Sequence, residues 1–408
     1  MRISGIHYCM RTALWLTTLI SIVIPLCACG AKATDEKHRA SVSGNQGAKK
    51  GPLLESSETA FRIDEFGKYR EPWAMAFAPG TDVLFLTEKG GKVAGFDTAN
   101  ERAIFVTGAP TVDYGGQGGL GDILFLPSES AATLTPRTIF LSWAEAGEGD
   151  TRGAAVGKGR LVCEDHQTCR IRDLAVIWRQ SPIVTGRGHY SHRLALSPDE
   201  RFLFVASGER QKQDPAQDLA NTLGTIVRLD RDGKAAAGNP FAGKEGQSNE
   251  IWSYGHRNIL GLRFDALGRL WDLEHGPAGG DELNLVEPGK NYGWPVVSNG
   301  DHYDGDPIPD HATRPEFTAP AISWTPVIAP GDFIFYSGEL FPEWQGQALI
   351  TGLKSQALVR VGIEGEKATE LARYDFGERL RSIVEAPNGA LWVIEDGKQA
   401  RLLRLAPR

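Results

Sequence analysis

The chain has 408 residues, 41% of them hydrophobic, and a net charge of −7. That is enough apolar material for two average domains or one large all-β domain, while modest acidity without a basic cluster argues against a nucleic-acid surface. Forty-eight glycines and 23 prolines against three methionines suit many turns joining short strands.

Residues 1–29 read as an export signal. Arg2 and Arg11 make its start positive, and the apolar run 13–28 has the length of a signal core but is short for a membrane span. The run ends Leu26-Cys27-Ala28-Cys29-Gly30, which resembles a bacterial lipoprotein box with Cys29 as the lipidated residue. Ala31-Lys32-Ala33 is a competing cut site for ordinary secretion. Either route exports the protein, to the periplasm or to an outer-membrane anchor, and the only membrane attachment expected is a lipid on Cys29. Residues 30–59 are polar, charged and aperiodic, the composition of a flexible linker.

Beyond the leader the cysteines are Cys163 and Cys169, in LVCEDHQTCRI. In an exported protein this close pair points to a small disulfide loop, with free thiols as the alternative. His166 between them does not complete a structural metal site, which usually needs four ligands.

From residue 70 a phrase recurs: an apolar alternation, a Pro/Asp/Gly turn, then an aromatic-rich strand. Copies start at Trp73, Leu120, His192, Leu260, Ala329 and Arg381. Six copies at spacings of roughly 50–70 residues are too long for a solenoid and suit four-stranded antiparallel blades. The expected fold is all-β, a six-bladed β-propeller over residues 60–408, with two separate β-sandwiches as the alternative. In a propeller each blade contributes loops to one end of a central channel, so distant polar residues can converge there.

Three loops stand out. Residues 113–122, DYGGQGGLGD, carry glycines that permit close backbone approach or a tight reversal. Residues 188–194, GHYSHRL, are followed one hairpin later by Gly208-Glu209-Arg210. A general base needs a group titrating near neutrality and a partner to hold it. Tracing the hairpin back places Glu209 near the level of His189. The third is the run 253–300. It encloses a hairpin between Leu262 and Leu273 and is flanked by His256-Arg257-Asn258 and by Glu274-His275-Gly276-Pro277. Behind these, Asp281 and Glu282 follow two glycines in a loop whose oxygens suit a hard cation such as Ca²⁺.

GHRN, EHGPAGGDELN and NYGWP, in this order, resemble the soluble glucose/aldose sugar dehydrogenases that use pyrroloquinoline quinone (PQQ). The resemblance spans residues 60–408 and is strongest over 193–295. It implies oxidation of an aldose at C1 to the lactone, with His189 as base, Glu209 as its partner and Arg257 stabilising charge on the quinone oxygen. Gln117, Arg257, Asn258, Lys354, Arg379 and Arg381 match the cofactor-binding positions. PQQ bears three carboxylates, for which arginine offers bidentate contacts and lysine a point charge. Arg379 and Arg381, at i and i+2 of an extended segment, should point the same way. The family's Ca²⁺ bridges the quinone and the Gly276-Pro277 carbonyls as a Lewis acid. Asp281, Glu282 and Tyr292 match a separate structural Ca²⁺ site. Electrons would pass on to a quinone or cytochrome. The chain departs from the family at His192, where glycine is usual, at Gly121, where leucine is commoner, and at Gly188, where some members have aspartate. A bulkier His192 is expected to narrow the pocket or shift His189.

Two other classes share the architecture. A propeller lactonase would hold Ca²⁺ with channel carboxylates and would not need clustered cations. A non-catalytic binding protein would keep the blades and lack the cofactor.

Overall fold

The computed structural model describes residues 53–56 and 60–408. The expected export signal, Cys29 and most of the expected linker lie outside the described residues. Strands dominate, joined by turns and short 3₁₀ pieces such as Pro127–Glu129. They follow one another as antiparallel meanders. The first comprises Pro72–Phe77, Val83–Glu88, Lys92–Asp97 and Arg102–Thr107; the second comprises Leu120–Phe125, Arg137–Ala146, Thr151–Cys163 and Thr168–Arg179. Parallel pairing of Arg102–Thr107 with Thr168–Arg179 merges these two into one sheet. Further meanders start at Ser191–Leu196, Ile259–Phe264, Pro330–Phe335 and Leu380–Glu385.

The first strand of each meander lies beside the first strand of the next, and Leu380–Glu385 lies beside Pro72–Phe77. The sheets therefore stand around an axis lined by their first strands, a propeller-type arrangement. Each is covered on both faces, so alternate residues of one strand serve different cores. In Val83–Glu88, Phe85 packs with Ile123, Leu141 and Trp143 on one side. Leu84 and Leu86 pack with Trp392, Ile394 and Leu402 on the other. That is why the second strands read VLFL, FLFV and LWVI, continuous apolar runs with no polar face.

Closure comes from far apart in the chain. Arg62–Tyr69 pairs antiparallel with Ala400–Ala406, Ile63 opposite Leu405 and Tyr69 opposite Ala400. Arg404 holds Asp64 across this seam at 2.7 Å. Leu53–Ser56, inside the stretch read as a linker, adds a parallel strand beside Lys367–Asp375. The Cys163–Cys169 disulfide is formed between residues that face each other on neighbouring strands.

One buried arginine fastens the axis. Arg193 donates from Nε to Leu260 O at 2.5 Å and from Nη2 to Gly331 O at 2.9 Å. Its guanidinium lies 3.9 Å from the Trp73 ring centre, with Asp122 and Asp332 oxygens at 3.4 and 3.5 Å. Ser382 of the last meander donates to Asp332 at 2.7 Å. A charge buried this deeply is tolerable because its donors face fixed acceptors, and the first strands are thereby locked in register around it.

Candidate active site

His189 precedes the strand Ser191–Leu196 and Glu209 follows its neighbour Phe202–Ser207; Ser191 faces Ser207 in the ladder, so the two loops meet. The backbone there is unusual. His189, Ser191 and His192 have φ of 47°, 57° and 49°, and Arg210, Gln211 and Gln213 have 60°, 59° and 63°. Left-handed backbone costs roughly 1–2 kcal/mol for an L-residue and gathers where surrounding structure over-determines it, often at a site. The determinants are visible. Arg210 N donates to His189 O at 3.2 Å, Arg210 Nε to Gly188 O at 2.9 Å, and His189 N to Gln117 Oε1 at 2.7 Å.

A short hydrogen bond joins His189 Nδ1 to Glu209 Oε1, and Glu209 Oε2 accepts Gln213 N–H at 2.6 Å. Glu209 is fully buried. Burial opposes its ionisation, but the His189 contact, the Gln213 N–H and Arg257 outweigh it and hold its carboxyl below the usual range. For His189, burial outweighs the Glu209 bond and, with Arg257 and Arg210 nearby, lowers its pKa. The ring is therefore neutral near pH 7, its Nδ1–H given to Glu209 and its Nε2 left as an acceptor. Arg257 completes the group, its carbonyl accepting Glu209 N–H at 3.1 Å.

His189, Glu209 and Arg257 do not themselves line the main cavity, of about 300 Å³, but the next residues Tyr190 and Ser191, and Gln117, which accepts the His189 N–H, do. Of the sequence-predicted residues, Gln117, Asn258, Arg379 and Arg381 form its wall. Gln117 sits in the glycine loop, where a Cβ at Gly119 would lie 2.2 Å from Lys89 O; only glycine fits there. Arg379 and Arg381 do point the same way, and both bind Asp396, at 2.9 and 3.0 Å. Asp396 and Lys89 were not foreseen. Lys89 lines the cavity with its Nζ 2.8 Å from Gly116 O, and burial, then the charge of Arg381, lowers its pKa. Their signal was weak: Lys89 ends an apolar strand at a Gly-Gly turn, and Asp396 follows LWVIE in the same position. Lys354 does not join the wall. Its side chain is exposed, and Leu353 takes the place expected of it, because the tight turn after Gly352 sends successive side chains in different directions.

A second, much smaller cavity of about 10 Å³ is lined by Arg257, Glu274, Gly276, Pro277, Glu282 and Tyr292 among others. Glu274 and Glu282 are cross-strand partners. Burial, and then the charge of Glu274, pushes Glu282 well up. Asp281 is a correction: it is not in this wall. Its oxygens accept Gly276 N–H at 2.9 Å and Ala329 N–H at 2.7 Å, so it staples two turns together, and burial raises it to about 6. Tyr292 donates its hydroxyl to Leu285 O at 2.6 Å, its backbone N–H donates to Tyr254 O at 2.9 Å, and its carbonyl accepts from His311 Nε2 at 3.2 Å.

The expected hairpin over 262–273 forms, with Leu262 opposite Asp272. Asp272 and Glu274 are buried and hold His256 Nδ1, each at 3.2 Å. Burial opposes the charge on His256, but Asp272 and Glu274 outweigh it and raise its pKa. Glu274 Oε2 accepts Arg257 N–H at 2.6 Å, so this network sets the Arg257 backbone. Arg257 donates from Nη1 to His275 O at 3.1 Å and from Nη2 to Tyr303 at 3.2 Å, while its buried Nε has no partner. Finally, His192 is part of the main cavity wall. It lies flat on Trp73, in space left open by Gly121.

These features can be set against known proteins. The model of the family described as glucose/sorbosone dehydrogenase matches residues 69–404. The aldose sugar dehydrogenase YliI of Escherichia coli is 35% identical over 348 residues, 84% of this chain and 91% of its own. The crystal structure of the soluble aldose sugar dehydrogenase of Escherichia coli in the apo form has a TM-score of 0.78 at 33% identity, covering 85% of this chain and all of that one. A PQQ-bound aldose sugar dehydrogenase from Streptomyces coelicolor, 24% identical over 85% of this chain and 98% of its own, shares the fold with a TM-score of 0.67. With the family match running almost from the first meander to the closing strand, the chain belongs to the glucose/sorbosone dehydrogenase family.

Proposed function

We propose that this protein is an exported dehydrogenase, built on a six-bladed β-propeller, that oxidises aldose sugars at C1 to the lactone using PQQ and Ca²⁺. The observation that carries the reading is the neutral His189, held by buried Glu209 and bonded through its N–H to Gln117, a wall residue of the cavity that presents Lys89, Arg379 and Arg381. The recurring phrases and the ring of first strands support the propeller.

PQQ, when bound, supplies a quinone that takes up the two electrons of the oxidation. The residues fit such a ligand. Arg379, Arg381 and Lys89 offer donors to carboxylates and Gln117 and Asn258 offer amides, while Arg257 lines the smaller cavity next to them. His189 Nε2 receives the proton of the C1 hydroxyl. Glu209 then stabilises the imidazolium and keeps the ring oriented, so that the lone pair is aimed before substrate arrives. Gly276, Pro277, Glu282 and Tyr292 would hold Ca²⁺; a divalent cation would relieve the forced proximity of Glu274 and Glu282. The leader and the Cys163–Cys169 disulfide support export. A lipid on Cys29 would anchor the enzyme, and a quinone or cytochrome would take its electrons.

The test is to add PQQ and Ca²⁺ to purified protein and follow dye reduction with a panel of aldoses. PQQ-dependent reduction is expected. Lactone hydrolysis without PQQ would select a hydrolase, and neither activity would select a binding protein.

A further inference from the structure

We propose that His192 is a ligand-binding residue whose Nε2 accepts a hydrogen bond from the cofactor in the main cavity. The inference rests on the PQQ reading above, and the donor is the pyrrole N–H of that molecule.

Several independent contacts define the ring. It lies on the Trp73 indole with centroids 4.8 Å apart and planes 20° from parallel. Ser142 fixes its tautomer. The Ser142 hydroxyl donates its one proton to His192 O at 2.7 Å, so its oxygen can only accept from Asp122 N–H at 2.7 Å and from His192 Nδ1 at 3.0 Å. Nδ1 therefore carries the proton and Nε2 does not.

Space for the ring comes from Gly121, where a Cβ would lie 2.0 Å from His192 Nδ1 and 2.1 Å from Cε1. The imidazole occupies the volume a side chain at 121 would need. The Nδ1–Cε1 edge faces Gly121, and Nε2, bonded to Cε1, is the remaining ring nitrogen. Among the described residues that nitrogen has no hydrogen-bond partner, and the ring, 1% exposed, lines the cavity with Lys89, Asn258 and Arg381. Burial, together with Arg193, Arg210 and Lys89, drives the ring down to about 3, so it remains a neutral acceptor.

The rest of the wall explains why an acceptor matters there. Lys89, Arg379 and Arg381 are donors, and the carboxylates are already engaged: Glu71 by Tyr114, Asp396 by the two arginines. A ligand carrying carboxylates and an N–H needs both kinds of partner, because a buried donor left unpaired costs more than an ordinary hydrogen bond returns.

Two measurements on the full-length protein test this. In ¹⁵N-histidine-labelled protein, adding PQQ with Ca²⁺ should shift the His192 Nε2 resonance, assigned by its loss in His192→Gln. By tryptophan quenching, His192→Ala should weaken PQQ binding about ten-fold, with His192→Gln, which keeps a side-chain oxygen, recovering part of the loss. Wild-type protein that binds no PQQ would sink the function reading itself. Wild-type binding with an unmoved resonance would overturn this inference alone, even if His192→Ala fails to fold. A raised KM for aldose with unchanged PQQ affinity would also overturn it, assigning Nε2 to a sugar hydroxyl.

Discussion

Glu209→Gln is the most discriminating single change. Glu209 serves two donors at once, His189 Nδ1–H and Gln213 N–H, and is fully buried. An amide has one oxygen for them. Either its NH₂ confronts the Gln213 N–H, or it turns to His189 and forces the ring into the tautomer with Nε2 protonated, which cannot accept a proton. A charge-assisted hydrogen bond is worth about 1.5–3 kcal/mol, so kcat/KM should fall roughly 10- to 150-fold at about 1.4 kcal/mol per decade. The pH dependence gives a second, independent sign. Activity is lost on the acid side as His189 protonates. The Glu209 contact raises the His189 pKa against the lowering by burial, so its removal lowers that pKa further. The acid limb should therefore move to lower pH while the plateau drops. Steady-state dye reduction across a pH series measures both, with a melting curve to confirm folding. A plateau at the wild-type level with an unmoved acid limb would show that Glu209 does not hold the base, and the proton acceptor would have to be another group.

Arg381→Ala should raise the PQQ dissociation constant by roughly ten-fold or more, the value of a hydrogen bond to a charged group; an unchanged constant in a quenching titration would count against the cationic wall. Gly121→Leu should destabilise the fold by about 1–3 kcal/mol through overpacking against His192, and His192→Gly in the same chain should recover most of the melting temperature. If Glu282 helps to hold Ca²⁺, chelation should lower the melting temperature of the wild type but leave Glu282→Gln unmoved. Because burial and the charge of Glu274 favour the protonated form of Glu282, Ca²⁺ uptake should be coupled to proton release and weaken as pH falls, which calorimetry in two buffers would detect.

Sequence by itself determined the strand phrases, their turns and the meeting of His189 with Glu209, because these depend on periodicities and hairpin lengths within a few tens of residues. It also marked the Arg379–Arg381 pair, since i and i+2 of a strand share a face. Only the tertiary structure decided the rest. Strand alternation shows that Phe85 and Leu86 face opposite ways, but not that both faces are covered; ring closure by Arg62–Tyr69 makes it so. The same covering buries Asp272 and Glu274, which support His256 and Arg257. Lys354 points away and Asp281 staples turns because the direction of a side chain in a loop depends on contacts with distant elements. His192 and Gly121, 71 positions apart in chain order, meet at one place, where the imidazole fills the volume a side chain at 121 would need. A linear pattern cannot register such a pairing, since it exists only where two strands bring their side chains into the same space.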